Sequence, residues 1–140
     1  MASITKEIRT SVPPEIAWAM IRDFAGVRRL VPGFLIDCQL EGDARIVTFE
    51  SGRVARELLV DIDDKARRLV YAEPTEPFVT RNASVQVFAE GENSCRVVWI
   101  IDVLPNKFAD LMRENMDKAG AIMKRTLEGS QAREQPAVPR

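Results

Sequence analysis

The stretch that decides the fold lies near the end of the chain, Asn106 to Glu128, reading NKFADLMRENMDKAGAIMKRTLE. Phe108, Leu111, Met112, Met116, Ala119, Met123 and Leu127 fall at helical spacing, mostly three or four residues apart, so a helix gathers them on one face. Burying a large apolar side chain is worth about 1.5–3 kcal/mol, so a stripe of this length cannot stay in water. The helix must lie against an apolar surface. Its methionines add a further implication, because an unbranched, polarizable thioether suits an adaptable wall better than a rigid core. Asn106, after Pro105, reads as the cap of this helix and Gly129 as its end. Ser130 to Arg140 contains two prolines and little apolar content, which predicts a disordered tail at 130–140 beyond a single domain at 1–129.

Upstream of the helix the pattern changes from period 3.6 to short strands. Segments near 35–41, 44–50, 54–62, 67–74, 79–89 and 95–104 are strand-like. They are separated by Gly42-Asp43, Ser51-Gly52, Asp63-Asp64-Lys65, the Pro74-to-Pro77 segment and Gly91-Glu92-Asn93. Turns this short join antiparallel neighbours, since parallel pairing needs a crossover of about a dozen residues or more. At the front, Ile4 to Thr10 forms another strand. Ser11 reads as a cap and Pro13-Pro14 as the first turn of a helix that buries Ile16, Met20, Ile21 and Phe24 and stops at Gly26. A second short helix, Val27 to Val31, ends at Pro32-Gly33. The expectation is an α+β fold in which a curved seven-stranded antiparallel sheet wraps around the long C-terminal helix. Two short helices sit between strands 1 and 2.

Composition narrows the chemistry. With 140 residues and a net charge of −1, the chain has no basic face of the kind nucleic acid requires. No apolar run approaches the roughly 20 residues of a membrane span, and charges interrupt the N-terminus before any signal-peptide core forms. Cys38 and Cys95 fall in different strands with no metal-ligand spacing, which predicts reduced thiols in a cytoplasmic protein. The chain contains no histidine. That removes the usual general base and the commonest metal ligand, so no metal and no cofactor are expected. Catalysis, if present, falls to carboxylates, Tyr71, lysines or arginines.

Residues along most of the chain carry a resemblance. They are Ser11-Val12-Pro13-Pro14-Glu15-Ile16-Ala17-Trp18, Asp23-Phe24, Val31-Pro32-Gly33, Gly42 with Arg45, and Glu57 with Asp63-Asp64. Tyr71, Asn82-Ala83-Ser84-Val85, Trp99, Asp102 with Pro105 and the closing helix continue the series. In this order and spacing the chain resembles the SRPBCC superfamily, the helix-grip fold of START lipid-transfer domains and birch-pollen allergens, and most of all its polyketide cyclase/dehydrase branch. The resemblance implies a cavity between sheet and helix.

It also chooses which face of each strand looks inward, where alternation alone is ambiguous. The choice is Arg45, Val47 and Phe49; Ala55, Glu57 and Leu59; Leu69, Tyr71 and Glu73; and Thr80, Asn82 and Ser84. Glu57 is the first candidate for a functional polar group. A carboxylate stripped of water rises in pKa unless an arginine such as Arg45 compensates, and a raised carboxylate can serve as general base. Tyr71 or Arg45 would then stabilise an enolate oxygen. The alternatives for Glu57 are orienting a bound water or ligand hydroxyl, a structural ion pair with Arg45, or an exposed position on the convex face. Val47, Phe49, Leu59, Asn82, Trp99, Phe108, Met112 and Met116 are the candidate ligand-binding residues.

The leading functional expectation is binding of a small hydrophobic molecule such as a lipid, polyketide or aromatic metabolite. A polyketide cyclase or dehydratase acting through Glu57 is the alternative, and an interaction module with a collapsed cavity is a third. The strand Arg96 to Leu104 is apolar on both faces, which makes a homodimer through its outer face a further expectation.

Overall fold

A computed structural model describes residues 2–74 and 76–134. The chain opens with β1 (Ala2–Thr10), followed by α1 (Pro14–Ile21), a 3-10 turn at Phe24–Gly26 and α2 (Val27–Leu30). The meander β2 (Leu35–Glu41), β3 (Ala44–Phe49), β4 (Val54–Asp63), β5 (Arg68–Ala72), β6 (Thr80–Ala89) and β7 (Cys95–Leu104) comes next. A 3-10 turn at Asn106–Phe108 then leads into α3 (Ala109–Glu134). The strands form one sheet in the order β1-β7-β6-β5-β4-β3-β2, with every neighbouring pair antiparallel. This is the expected helix-grip arrangement.

Local chemistry explains the turns and the curvature. Gly42 supplies the positive φ (61°) at the first central position of the two-residue β2–β3 loop, where a II′ hairpin turn needs glycine. Register shifts between Leu59 and Asp61 on β4, and between Leu35 and Asp37 on β2, add bulges that bend and twist the sheet. Cys38 and Cys95 are both free.

Several boundaries differ from the sequence expectation. Pro13, in extended conformation, stands at the N-cap of α1 with no side-chain cap, and its carbonyl accepts from the Ile16 and Ala17 amides. Ser11 is not the cap. Its hydroxyl donates instead to Glu128 (3.2 Å), tying the first loop to α3. Asn106 begins a 3-10 turn, so α3 itself starts at Ala109. Gly129 does not stop α3, which runs to Glu134, so helix replaces the expected tail at 130–134. The helix is continuous there because a single glycine costs only about 1 kcal/mol in a helix already held by packing. The rest of the expected tail lies outside the described residues.

The core lies between the concave face of the sheet and α3. Ile4, Ile8, Val85, Val97, Trp99, Ile101, Met112, Met116, Met123 and Leu127 belong to one buried cluster. Leu111 is the exception within the predicted stripe, 46% exposed at the rim. The close backbone approaches of α3 are to β1, α1 and α2. Gly120 permits the first of them, since a Cβ there would stand 3.3 Å from Lys6 Cε and 3.5 Å from Ile8 Cδ1. The helix is thus pinned along β1, at one edge of the bent sheet. Between its inward face and the strands beyond lies a cavity.

Candidate functional site

The cavity has a volume of about 350 Å³ and is walled by residues of all three helices, the loop around Phe34 and strands β2 to β7. Met112, Met116, Ala119 and Met123 form its roof from α3. Leu69, Val85, Ile101 and Phe78 give much of the opposite wall. Phe78 stacks edge-on against Phe108, with ring centroids 5.0 Å apart. Phe34 and Phe49 pair the same way at 5.6 Å.

A chain of five charged residues runs through this apolar setting. Arg45 and Glu57 stand directly opposite on β3 and β4, and Arg45 Nε donates to Glu57 Oε1 at 2.8 Å. Arg45 Nη1 also donates to the Phe24 carbonyl (3.1 Å), and its guanidinium lies 4.1 Å from the Phe24 ring centre and 4.8 Å from that of Tyr71. Arg81 Nη1 bridges Glu57 Oε2 and Glu73 Oε1, each at 3.3 Å. Arg53, half-exposed between the rings of Phe49 and Phe78, closes the chain by donating to Glu73 Oε2. Burying an ion costs several kcal/mol, so such groups persist only when paired, and here each carboxylate has two guanidinium partners.

The electrostatics follow from that pairing. Burial pushes the Glu57 carboxyl up, but Arg45 and Arg81 together more than reverse it and hold its pKa below the ordinary range. Glu73 goes the other way, because its burial outweighs what Arg81 and Arg53 supply. Burial disfavours the charge on Arg81, yet Glu57, Tyr71 and Glu73 hold its pKa above the usual value. Tyr71 is raised by burial and by the Glu57 carboxylate, so it stays a neutral phenol. Two buried donors on these strands, Arg81 Nε and Trp99 Nε1, meet no hydrogen-bond criterion among the described residues. The Trp99 indole N–H beside the Tyr71 phenol acts in the opposite sense, to lower its pKa.

The model of the family of polyketide cyclase / dehydrase and lipid transport proteins matches residues 1–133. The chain belongs to this family. No curated protein is detectably similar in sequence. Among solved structures, the chain is similar to the protein XoxI from Bacillus cereus (19% identity, TM-score 0.83, covering 94% of this chain and 99% of that one). It is also similar to a START superfamily protein from Mycobacterium smegmatis (14%, 0.75, 95% and 99%). The Zhui aromatase/cyclase from Streptomyces sp. R1128 superposes comparably (13%, 0.74, 97% and 96%). At these identities the structures show a common fold.

On this polyketide cyclase / dehydrase and lipid transport fold, Arg45, Glu57, Tyr71, Phe49, Trp99, Phe108, Met112 and Met116 all line the cavity. Val47 is fully buried and Leu59 half-buried on the inward face, but both lie in the core beside the cavity rather than on its wall. Asn82 is a correction. It is exposed on the outer face, in register with Ala72 and Asp102, and Thr80 and Ser84 share that outward side. Arg81, Ala83 and Val85 point inward instead. The misreading came from placing polar Asn82 in a pocket and charged Arg81 in water, whereas Glu57 and Glu73 satisfy Arg81 inside. The signal was present, because Ala83, Val85 and Val87 form an apolar row at period two that Arg81 extends. Arg53 and Arg81 were missed as site residues. Glu73 was read as inward but given no role.

Proposed function

We propose that this protein binds a small, mostly apolar molecule in the cavity between the sheet and α3. The observation that supports the reading is the combination of about 350 Å³ of space, walls of methionine and aromatic side chains, and polar groups gathered on one side. Ligand pockets are commonly of this size, apolar with a few convergent polar groups. Met112, Met116 and Met123 let the roof adapt to different shapes. The similarity to a family described as polyketide cyclase / dehydrase and lipid transport points the same way. None of the described helices is long and apolar enough to cross a membrane.

A neutral solvatochromic dye, Prodan, tests this. Its emission should shift to the blue and intensify on addition of the protein, and apolar naphthyl or acyl compounds should displace it. Absence of both the shift and the displacement would remove the proposal.

The catalytic alternative, a cyclase or dehydratase with Glu57 as base, is less well supported. A general base works best with a pKa near the operating pH, and Glu57 is held low with a guanidinium on each oxygen. Glu57 is better suited to orienting Arg45 and Arg81 than to taking a proton.

A further inference from the structure

The buried members of the charge network balance one another. Arg45 and Arg81 are matched by Glu57 and Glu73, all four buried, while Arg53 is half-exposed and keeps its charge in contact with water. An ion entering the cavity would leave water with no counter-charge waiting for it. The polar group left open to a ligand is the Tyr71 phenol. Tyr71 is 6% exposed and lines the cavity, where burial and the Glu57 carboxylate keep it protonated. The Arg45 guanidinium holds its ring in place, 4.8 Å from the ring centre. The Trp99 indole N–H is set against its oxygen, and an indole N–H only donates, so the phenol proton must find an acceptor elsewhere. Glu57 is not that acceptor, its two oxygens being held by Arg45 and Arg81. The hydroxyl makes no hydrogen bond with the described residues, yet unlike Arg81 Nε and Trp99 Nε1 it is not sealed from the cavity. A buried hydroxyl normally has a partner, so an acceptor in the cavity is missing here.

From this arrangement we infer that the ligand is a neutral carbonyl compound, an apolar body whose C=O oxygen accepts a hydrogen bond from the Tyr71 hydroxyl. The inference rests on the cavity-binding proposal and specifies its ligand class. A carbonyl suits the position because it accepts and has nothing to donate. A ligand alcohol would bring a hydrogen of its own beside Glu57 oxygens that already serve two guanidiniums. A hydrocarbon would leave the phenol proton without an acceptor, and an ionised acid would add a charge to a buried set that is already balanced. The positive end of the indole N–H beside the phenol oxygen also strengthens Tyr71 as a donor. The apolar body would lie against Leu69, Met112 and Met116.

The test pairs 2-acetonaphthone with 2-isopropenylnaphthalene, in which a carbon–carbon double bond of nearly the same shape replaces the carbonyl. Both are read by displacement of Prodan, with the Kd of the dye measured for each protein. Tyr71→Phe removes the hydroxyl and keeps the ring. It should weaken acetonaphthone by about three- to tenfold, the range of one neutral hydrogen bond, and leave isopropenylnaphthalene within about twofold of the parent. Infrared difference spectra of acetonaphthone, isotope-labelled at the carbonyl, give a second readout. The C=O stretch should lie lower on the parent protein than in hexane, and Tyr71→Phe should abolish that lowering. A stretch at its hexane position on the parent protein would overturn the inference without any variant. Equal effects of Tyr71→Phe on the two compounds, or none on either, would overturn it as well, while the cavity proposal stands. If Prodan and both naphthyl compounds fail to bind, cavity binding itself falls, and the inference with it.

Discussion

Arg45 and Glu57 face each other across the β3–β4 ladder and meet at 2.8 Å, both almost completely buried. Glu57 is the one carboxylate paired with Arg45, and Arg45 is the nearer of the two guanidinium partners of Glu57, so removing either leaves buried charge less well compensated. Arg45→Met should therefore destabilise the protein by about 3–5 kcal/mol, whereas the double variant Arg45→Met with Glu57→Met should recover most of that loss. Urea unfolding of the two single variants and the double variant closes the cycle. Additive losses would mean that the pair is not energetically coupled.

Acid stability should follow Glu57. Its folded pKa lies below the ordinary value of 4.5, so its contribution is fully present above pH 4.5 and declines as pH falls from there through the folded pKa. Glu73 works in the opposite sense. Its folded pKa lies above 4.5, so its contribution is present below that pH and is lost as pH rises through the folded value. The urea midpoint of the parent should drop on acidification below pH 4.5, and Glu57→Gln should flatten that part of the profile. An equally steep drop in Glu57→Gln would assign the acid sensitivity to other carboxylates.

Filling the cavity should separate binding from folding. Met112 is 4% exposed and sits in the roof over the cavity. Met112→Trp should occupy much of the space at an overpacking cost of about 1–3 kcal/mol. Prodan binding should fall by more than tenfold while unfolding remains a single cooperative transition. Undiminished dye binding by the folded variant would place the dye elsewhere on the protein.

Gly129 offers a direct check on the end of α3. It lies inside the helix with an ordinary φ, and an added Cβ would meet nothing within 4 Å. Gly129→Ala should stabilise the protein by about 0.5–1 kcal/mol, seen as a higher thermal midpoint. A glycine terminating the helix in left-handed conformation would give destabilisation instead. Gly120→Ala should be the contrast, losing stability because the new methyl meets Lys6 and Ile8 at 3.3–3.5 Å.

Much of the fold was legible before any coordinates. The Phe108-to-Leu127 stripe has a helical period, and the short turns at Gly42, Gly52 and Gly91 leave antiparallel pairing as the only economical connection. Helix ends were less legible. Ser11 and Gly129 have the chemistry of a cap and a stop, but Ser11 is taken by Glu128 and Gly129 is carried along by the packing on either side. The site was legible in part. Arg45, Glu57 and Tyr71 fell on the inward face as expected, while Asn82 and Arg81 were exchanged.

Local pattern, acting through neighbours a few residues apart, was enough to determine the seven strands, the long closing helix and the apolar face that binds them together. Periodicity in hydrophobicity is a property of the chain itself. What the tertiary structure decided was the charge network, because Glu73, Arg53 and Arg81 become acceptable inside only when separate strands and a loop bring them together. A buried charge is stabilised by partners distant in sequence, and no reading of one strand can show which partners those will be.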